Sequence, residues 1–158
     1  MAQDDKTTAA HPGPASAGAS VDYSLDGSAG HLLRRAHQRH AALFLALGGP
    51  GSLTPAQFAT LLTLAECGST TQNRLGRLVA LDSATTKGVV QRLRDRGLVA
   101  ATTDPMDRRT IVLSATAEGR AALVEARTQG LRANDALLDP LSPSEQRLLL
   151  ALLRRLTV

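Results

Sequence analysis

The chain has few of the residues on which several classes of function depend. Its 158 residues include one cysteine, no tryptophan and only three aromatic side chains, Tyr23, Phe44 and Phe58. A single cysteine excludes an internal disulfide framework and a cysteine-rich zinc site. The shortage of aromatic rings argues against a platform on which nucleic-acid bases stack. We therefore expect a protein of the reducing cytoplasm in which Cys67 is a small buried hydrophobe.

Long hydrophobic runs and the common enzyme motifs are also missing. The longest charge-free stretch, residues 41–65, is interrupted by glycines and prolines, so it predicts two helices and a turn rather than a membrane span. The first residues include Asp4 and Asp5 and no apolar segment, so we expect neither a secretion signal nor a membrane anchor. No phosphate-binding glycine loop, His-Glu-x-x-His pattern or serine nucleophile elbow occurs. The sequence predicts no enzyme, cofactor or metal site.

The charge of the chain is unevenly distributed. The net charge is +4, yet residues 1–30 hold four aspartates and only one lysine. Residues 70–110, in contrast, hold eight basic and four acidic side chains. A local basic excess is typical of proteins that bind a polyanion such as DNA, although basic surfaces are common in other proteins too.

The length fits one domain with a tail. Residues 1–20 are rich in alanine, glycine, serine and threonine without hydrophobic periodicity, which predicts a disordered tail before a single domain at residues 21–158. Helical spacing of apolar residues and helix-capping residues predict six helices in that domain. They cover residues 31–47, Thr54 to Gly68, a short segment capped by Thr70 or Thr71, a segment capped by Asp82, residues 115–138, and a last segment after Ser142.

Each predicted helix has an expected buried face. The helix after Asp82 has apolar or small residues at i, i+3, i+4 and i+7, and Gly97 is placed to end it. The residues expected to be buried are Leu75, Leu78 and Val79 in the third helix, Thr86, Val89, Val90 and Leu93 in the fourth, and Leu123, Val124, Leu131 and Leu137 in the fifth.

The middle of the chain, residues 54–114, follows the order helix, turn, helix, hairpin. Two strand-like runs, Leu98–Thr103 and Thr110–Ser114, are joined by a turn at residues 104–109 that ends in two arginines. A second helix of this kind fits the major groove of DNA, and a narrow basic hairpin fits the adjoining minor groove. The order of elements therefore predicts a winged helix-turn-helix that binds double-stranded DNA.

Small polar residues near the start of the fourth helix are expected to reach base edges, and flanking arginines are expected to contact phosphates. For any single residue, a solvated surface position is an equally good interpretation. Arg109 has the further alternative of pairing with Asp104 or Asp107 to support the wing. The candidate DNA-contact residues are Ser83, Ala84, Thr85, Lys87, Gly88 and Gln91 on the helix, Arg108 and Arg109 on the wing, and Arg74, Arg77, Arg92 and Arg94 at phosphates.

From Leu53 to Leu123 the chain resembles the multiple-antibiotic-resistance regulator (MarR) family of bacterial transcription factors. The resemblance implies a mainly α fold of the α+β class, with a winged lobe and a helical dimerisation layer formed by helices at 31–47 and 115–157. It also implies a homodimer, a pseudo-palindromic operator and repression relieved by a small ligand. The segments that carry it are Leu53-Thr54-Pro55-Ala56-Gln57-Phe58, Leu75-Gly76-Arg77-Leu78, Leu93-Arg94-Asp95-Arg96-Gly97-Leu98-Val99, Asp104-Pro105-Met106-Asp107-Arg108-Arg109, Leu113-Ser114 and Gly119.

One residue departs from the pattern of the family. Many relatives carry an arginine in the recognition helix where this chain has Gly88. Lys87 or Gln91 is a candidate to take over base readout, and close approach of the helix to DNA is the alternative that we favour. The loss of this arginine also supports a second hypothesis, in which the chain is a winged-helix protein-interaction module without DNA binding.

The segment from Tyr23 to His40 is similar to the first helix of family members that control the breakdown of aromatic acids. The resemblance implies an effector, an aromatic carboxylate, bound between the dimerisation layer and the winged lobe. An alternative is that the histidines are interface residues with satisfied hydrogen bonds, and a metal site is disfavoured because no third ligand is evident. The candidate ligand-binding residues are His37 and His40, Arg34 and Arg39 as carboxylate partners, and Phe44 and Phe58 as apolar walls.

Overall fold

A computed structural model describes residues 23–157, and the predicted tail at residues 1–20 lies outside the described residues. The predicted fold class is confirmed: the described part of the chain is mainly helical and carries a small antiparallel sheet. None of its helices is long and apolar enough to cross a membrane. The elements are α1 Ala29–Ala46, α2 Pro55–Cys67, β1 Ser69–Thr71, α3 Gln72–Leu78, α4 Ser83–Asp95, β2 Val99–Thr103, β3 Ile111–Ala115, α5 Ala117–Leu138 and α6 Pro143–Leu156.

Local capping determines where the helices begin. Thr54 accepts a hydrogen bond from the backbone N–H of Gln57, and the side chain of Gln57 accepts one from the backbone N–H of Thr54, at 3.3 and 3.0 Å. Ser142 and Glu145 form the same reciprocal pair at the start of α6. These side chains satisfy N–H groups that have no partner inside the helix, as the sequence predicted.

The predicted hairpin is confirmed, because β2 and β3 pair antiparallel, but the sheet of the described residues has a third strand that the sequence did not predict. The third strand, β1, pairs antiparallel with β3, and the order in the sheet is β1-β3-β2. Thr70 in β1 and Ala101 in β2 both lie opposite Leu113. A strand of three residues is too short to show the alternation of apolar and polar residues by which strands are recognised. Only its pairing with β3 defines it.

The core of the winged lobe lies between α2, α3, α4, α5 and the sheet. Leu61, Leu64, Leu75 and Leu93 are completely buried there. The four residues expected to be buried on α4 are all buried. The prediction for Leu78 is wrong, because α3 ends at that residue and half of its side chain is exposed.

The expected apolar face of α5 is only partly correct. Leu123 is buried, but Val124 and Leu131 are exposed. Four of the six buried residues are glycine or alanine, because α1 and α2 approach α5 closely: a Cβ at Gly130 would lie 3.2 Å from the ring of Phe58. The residues of α5 that are buried are Gly119, Leu123, Ala126, Gln129, Gly130 and Ala133.

Two helices bury almost nothing within the protomer. Phe44 is the buried residue of α1, and α6 has none. The large apolar side chains exposed on α1 and α6 are Leu32, Leu33, Leu45, Leu148, Leu149, Leu150, Leu152 and Leu156.

The prediction that Cys67 is buried is wrong. The last turn of α2 projects beyond the core and leaves the side chain of Cys67 exposed.

Candidate nucleic-acid interface and ligand cavity

Asp82 caps the N-terminus of α4, the helix expected to read DNA. Its carboxylate accepts the backbone N–H of Thr85 at 2.9 Å and the hydroxyl of Thr85 at 2.6 Å. Both bonds hold the pKa of Asp82 below its ordinary value, and the bond from the hydroxyl has the larger effect. The hydroxyl of Thr85 is therefore already engaged inside the helix cap.

The outward face of α4 carries small residues and one long cation. Ser83, Ala84 and Lys87 are exposed, and Gly88 is half-buried. A Cβ placed on Gly88 would meet only the guanidinium of Arg92, at 3.5 Å. Packing within the protomer therefore does not require glycine at this position.

The turn before α4 fixes the angle between α3 and α4. At Gly76 there is no room for a side chain, because a Cβ would lie 2.8 Å from the hydroxyl of Thr86. That hydroxyl donates to the carbonyl of Asp82 at 2.7 Å. In the turn, Ala80 has a φ of +52°, in the left-handed region. Arg74 and Arg77 lie exposed on α3 beside this turn.

The wing tip is a closed turn held by its own aspartates. Asp104 donates its backbone N–H to the carbonyl of Thr110 at 2.8 Å, and its carboxylate accepts the backbone N–H of Met106. Asp107 accepts the backbone N–H of Arg109 at 3.0 Å and the hydroxyl of Thr110 at 2.8 Å. Both bonds lower the pKa of Asp107, and the bond from the backbone of Arg109 has the larger effect. The tip is therefore closed by hydrogen bonds within the turn.

Both wing arginines are exposed at this tip. The alternative in which the guanidinium of Arg109 pairs with an aspartate is not observed, since the carboxylates bond to backbone N–H and hydroxyl groups of the turn. Among the described residues, the ion pair found within 4.0 Å is between Arg35 on α1 and Asp26, which precedes that helix. Arg108 and Arg109 are thus available to an external anion.

A second candidate site is a cavity of about 490 Å³ between α1, α2 and α5. Its walls are largely apolar, and the rings of Phe44 and Phe58 lie with centroids 5.5 Å apart. The imidazole of His40 is 6.2 Å from the ring of Phe44. The residues that line the cavity are His40, Phe44, Pro55, Phe58, Ala59, Leu62, Arg127, Gly130, Leu131 and Asn134.

Three polar side chains reach this cavity: an imidazole, a guanidinium and an amide, from His40, Arg127 and Asn134. Burial lowers the pKa of His40, the charge of His37 lowers it further, and a hydrogen bond with Asn134 opposes both effects. The imidazole is therefore mainly neutral near pH 7 and can act as a hydrogen-bond donor or acceptor.

The structure brings together only some of the candidate ligand residues. His40, Phe44 and Phe58 line the cavity, whereas Arg34, His37 and Arg39 lie on the exposed side of α1 and do not. In the described part of the chain, no group of three metal-ligating side chains is found.

Arg127 and Asn134 are cavity residues that the sequence reasoning missed. They lie on α5, far along the chain from α1 and α2. Their spacing of seven residues places them on one face of a helix, but both look like ordinary exposed polar positions in the sequence.

The MarR family model matches residues 53–111. The HTH-type transcriptional repressor NicR of Pseudomonas putida is 38% identical over 138 residues, which cover 87% of each chain. The match to this relative therefore extends well beyond the region that the family model covers.

Two solved structures are similar over most of their length. A probable transcriptional regulator from Pseudomonas aeruginosa has a TM-score of 0.78 and 47% identity, covering 84% of this chain and 99% of that one. BpsR of Bordetella bronchiseptica, whose DNA binding is regulated by 6-hydroxynicotinic acid, has a TM-score of 0.79 and 36% identity. The match covers 85% of this chain and 96% of BpsR. The whole described fold is thus similar to these proteins, rather than the winged lobe alone.

Proposed function

Because the chain belongs to the MarR family of transcriptional regulators, we propose that it is a homodimeric repressor released from its operator by a small aromatic acid. As a member of that family it is a regulator and not an enzyme. A regulator of this kind acts on the chromosome, so we place it in the cytoplasm.

The proposal that it binds DNA rests mainly on one observation, the combination of an outward-facing α4 with a hydrogen-bonded wing tip whose arginine side chains have no carboxylate partner among the described residues. We propose that Ser83, Ala84 and Lys87 contact the major groove and that Arg108 enters the minor groove, whose negative potential attracts guanidinium groups. Further candidates are Thr85, Gly88, Gln91 and Arg109 near the bases, and Arg74, Arg77, Arg92 and Arg94 at phosphates.

The exposed leucines of α1 and α6 support the proposal of a dimer. Many large apolar side chains exposed on two helices are typical of a surface that a partner covers. In a symmetric pair the two helices of one protomer cover those of the other, and the two winged lobes bind half-sites about one helical turn, or 34–36 Å, apart. The dimerisation layer would then comprise residues 31–47 and 115–157, and the DNA-binding lobe residues 54–114.

The cavity supports the proposal of an aromatic acid as effector. Its volume of about 490 Å³ is in the range of small-molecule sites. The rings of Phe44 and Phe58 suit a flat apolar ligand, and Arg127 can bind a carboxylate through charge-assisted hydrogen bonds. His40 and Asn134 suit a ring hydroxyl or carbonyl. In this arrangement Arg127 takes the role that the sequence assigned to Arg34 or Arg39.

Release from DNA requires that the ligand bind one arrangement of the lobes more tightly than the other. The cavity lies between α1 and α5 on one side and α2 on the other, so it borders both the dimerisation layer and the winged lobe. We propose that an occupied cavity changes the spacing of the two lobes. A shift of a few ångström would then misalign α4 with successive turns of the duplex.

The test of DNA binding uses the purified full chain and DNA from its own promoter region. Arg108→Ala should weaken binding by roughly 5- to 150-fold and Arg108→Lys by less, whereas Arg147→Ala on α6 removes the same charge away from the winged lobe and should have little effect. If the wild-type protein fails to bind DNA at low salt, the protein-interaction module becomes the better hypothesis. A thermal-shift screen of aromatic acids would identify the effector class.

A further inference from the structure

Arg96 joins the end of α4 to a distant part of the chain. Its guanidinium Nη2 donates a hydrogen bond of 2.6 Å to the carbonyl of Gly51, a residue 45 positions earlier. Arg96 is the C-cap residue of α4, and Gly97, with a φ of +71°, then turns the chain towards β2. The charge of the donor strengthens this bond, and its position among exposed residues leaves it open to competition from water.

The connection between α1 and α2, residues 47–54, also rests against α5. At Gly48 a Cβ would collide with the side chains of Ser52 and Gln129. A cleft of about 110 Å³ lies between this connection and α5, and Arg96 forms part of its lining. The connection is therefore held between the end of α4 and the middle of α5.

Gln129 extends this chain of contacts to the ligand cavity. Its amide is nearly buried and donates to the backbone carbonyl of Phe44. The ring of Phe44 lines the cavity, and so does Gly130, the residue that follows Gln129. A ligand that moves Phe44 would therefore move an acceptor of Gln129, which in turn lies against Gly48.

We propose that Arg96 is a positioning residue that couples the ligand cavity to α4 through the Gly51 carbonyl. This inference rests on the proposed function and extends it. The proposed base contacts Ser83 and Ala84 lie in the first turn of α4, and Arg96 lies at its opposite end, about 20 Å away for a helix of 13 residues. A displacement of Gly51 thus turns α4 relative to the DNA without any ligand contact to the helix.

The experiment is a double-mutant cycle that needs no identified effector. Ala59→Leu places a larger side chain into the cavity from α2, with little loss of helix propensity, and imitates its occupation. Arg96→Met removes the donor but keeps much of the apolar stem. Arg94→Met is the control background: it removes the same charge from the same turn and, as a proposed phosphate contact, should itself lower operator affinity, but the bond to Gly51 stays, so only the change caused by Ala59→Leu is compared. The probe is an operator duplex selected from a random library by the wild-type dimer, and its Kd is measured for each variant.

In the wild-type and Arg94→Met backgrounds, Ala59→Leu should change the operator Kd by about fivefold or more, the lower end of typical allosteric coupling. In the Arg96→Met background, Ala59→Leu should change the operator Kd by less than about twofold. In the Arg96→Lys background, part of the wild-type response to Ala59→Leu should return. Equal effects in all backgrounds, or no effect of Ala59→Leu on the wild type, would overturn the inference. A wild-type protein that selects no DNA would instead overturn the proposed function. Thermal denaturation of each variant shows that it is folded.

Discussion

The side-chain amide of Gln91 donates a hydrogen bond of 2.7 Å to the carboxylate of Asp95, one turn further along α4. Gln91 is a candidate base reader, and adenine readout by glutamine uses both its N–H and its carbonyl group. The bond directs the amide towards the C-terminal end of the helix, and the carboxylate of Asp95 lies on the exposed side of α4. Asp95 therefore restrains Gln91 and weakens the attraction of α4 to phosphate.

We predict that Asp95→Asn and Asp95→Ala both increase operator affinity, by roughly 3- to 10-fold at low salt, because each removes a charge that repels phosphate. Only Asp95→Ala also frees Gln91, so it alone should sharpen the base preference found by selection from a random library. Asp135→Asn on α5 is the matched control. Fluorescence anisotropy at two salt concentrations measures the affinities, and a gain that does not shrink at high salt would contradict the electrostatic explanation.

Ala80 gives a prediction about stability. Its φ of +52° lies in the left-handed region, which costs an L-residue with a Cβ roughly 1–2 kcal/mol. Glycine avoids this strain but loses more backbone entropy on folding, so Ala80→Gly should raise the free energy of unfolding by about 0.5–1 kcal/mol. In contrast, Ala121→Gly in the exposed part of α5 should lower it by about 1 kcal/mol. Urea denaturation of both variants is the measurement, and equal losses would exclude strain at Ala80.

The lowered pKa of His40 predicts a dependence of stability on pH. Folding disfavours the charged imidazole, so its contribution is present above about pH 6.5 and is lost as pH falls through the lower pKa of the folded state. The melting temperature should therefore fall between pH 7 and pH 5, and it should fall less in His40→Gln.

Replacing Asn134 should have the opposite effect on the pH dependence of stability to replacing His40. Its hydrogen bond raises the pKa of His40, so Asn134→Ala should lower that pKa further and steepen the loss of stability below pH 6.5. A carboxylate bound in the cavity should reverse the trend, because it stabilises the imidazolium. If Asn134→Ala and His40→Gln give the same pH profile, His40 is not the group that titrates.

The leucines of α6 predict the consequence of blocking the dimer. Leu152 is 44% exposed within the protomer, and a glutamate there would place a charge in the proposed apolar interface. Leu152→Glu should give a monomer in sedimentation experiments and weaken operator binding by more than about tenfold, because two linked half-sites bind far better than one. Ser144→Glu adds the same charge in the polar first turn of α6 and should leave the dimer intact.

The amino-acid sequence by itself determined the helices and the winged lobe. Thr54 with Gln57, Ser142 with Glu145, and Asp82 with Thr85 interact over three residues, so their capping bonds follow from local spacing. The buried face of α4 was predicted correctly for the same reason, since it repeats at the period of a helix.

Contacts between distant residues were decided only by the tertiary structure. The pairing of β1 with β3, the burial of small rather than large residues on α5, and the exposure of Cys67 depend on which surfaces meet. Arg127 and Asn134 enter the cavity, and Arg96 reaches Gly51, because packing brings separate helices together. Hydrophobic periodicity located the buried face of α4 but only part of that of α5, because it carries no information about the partner that covers a helix or how closely that partner approaches.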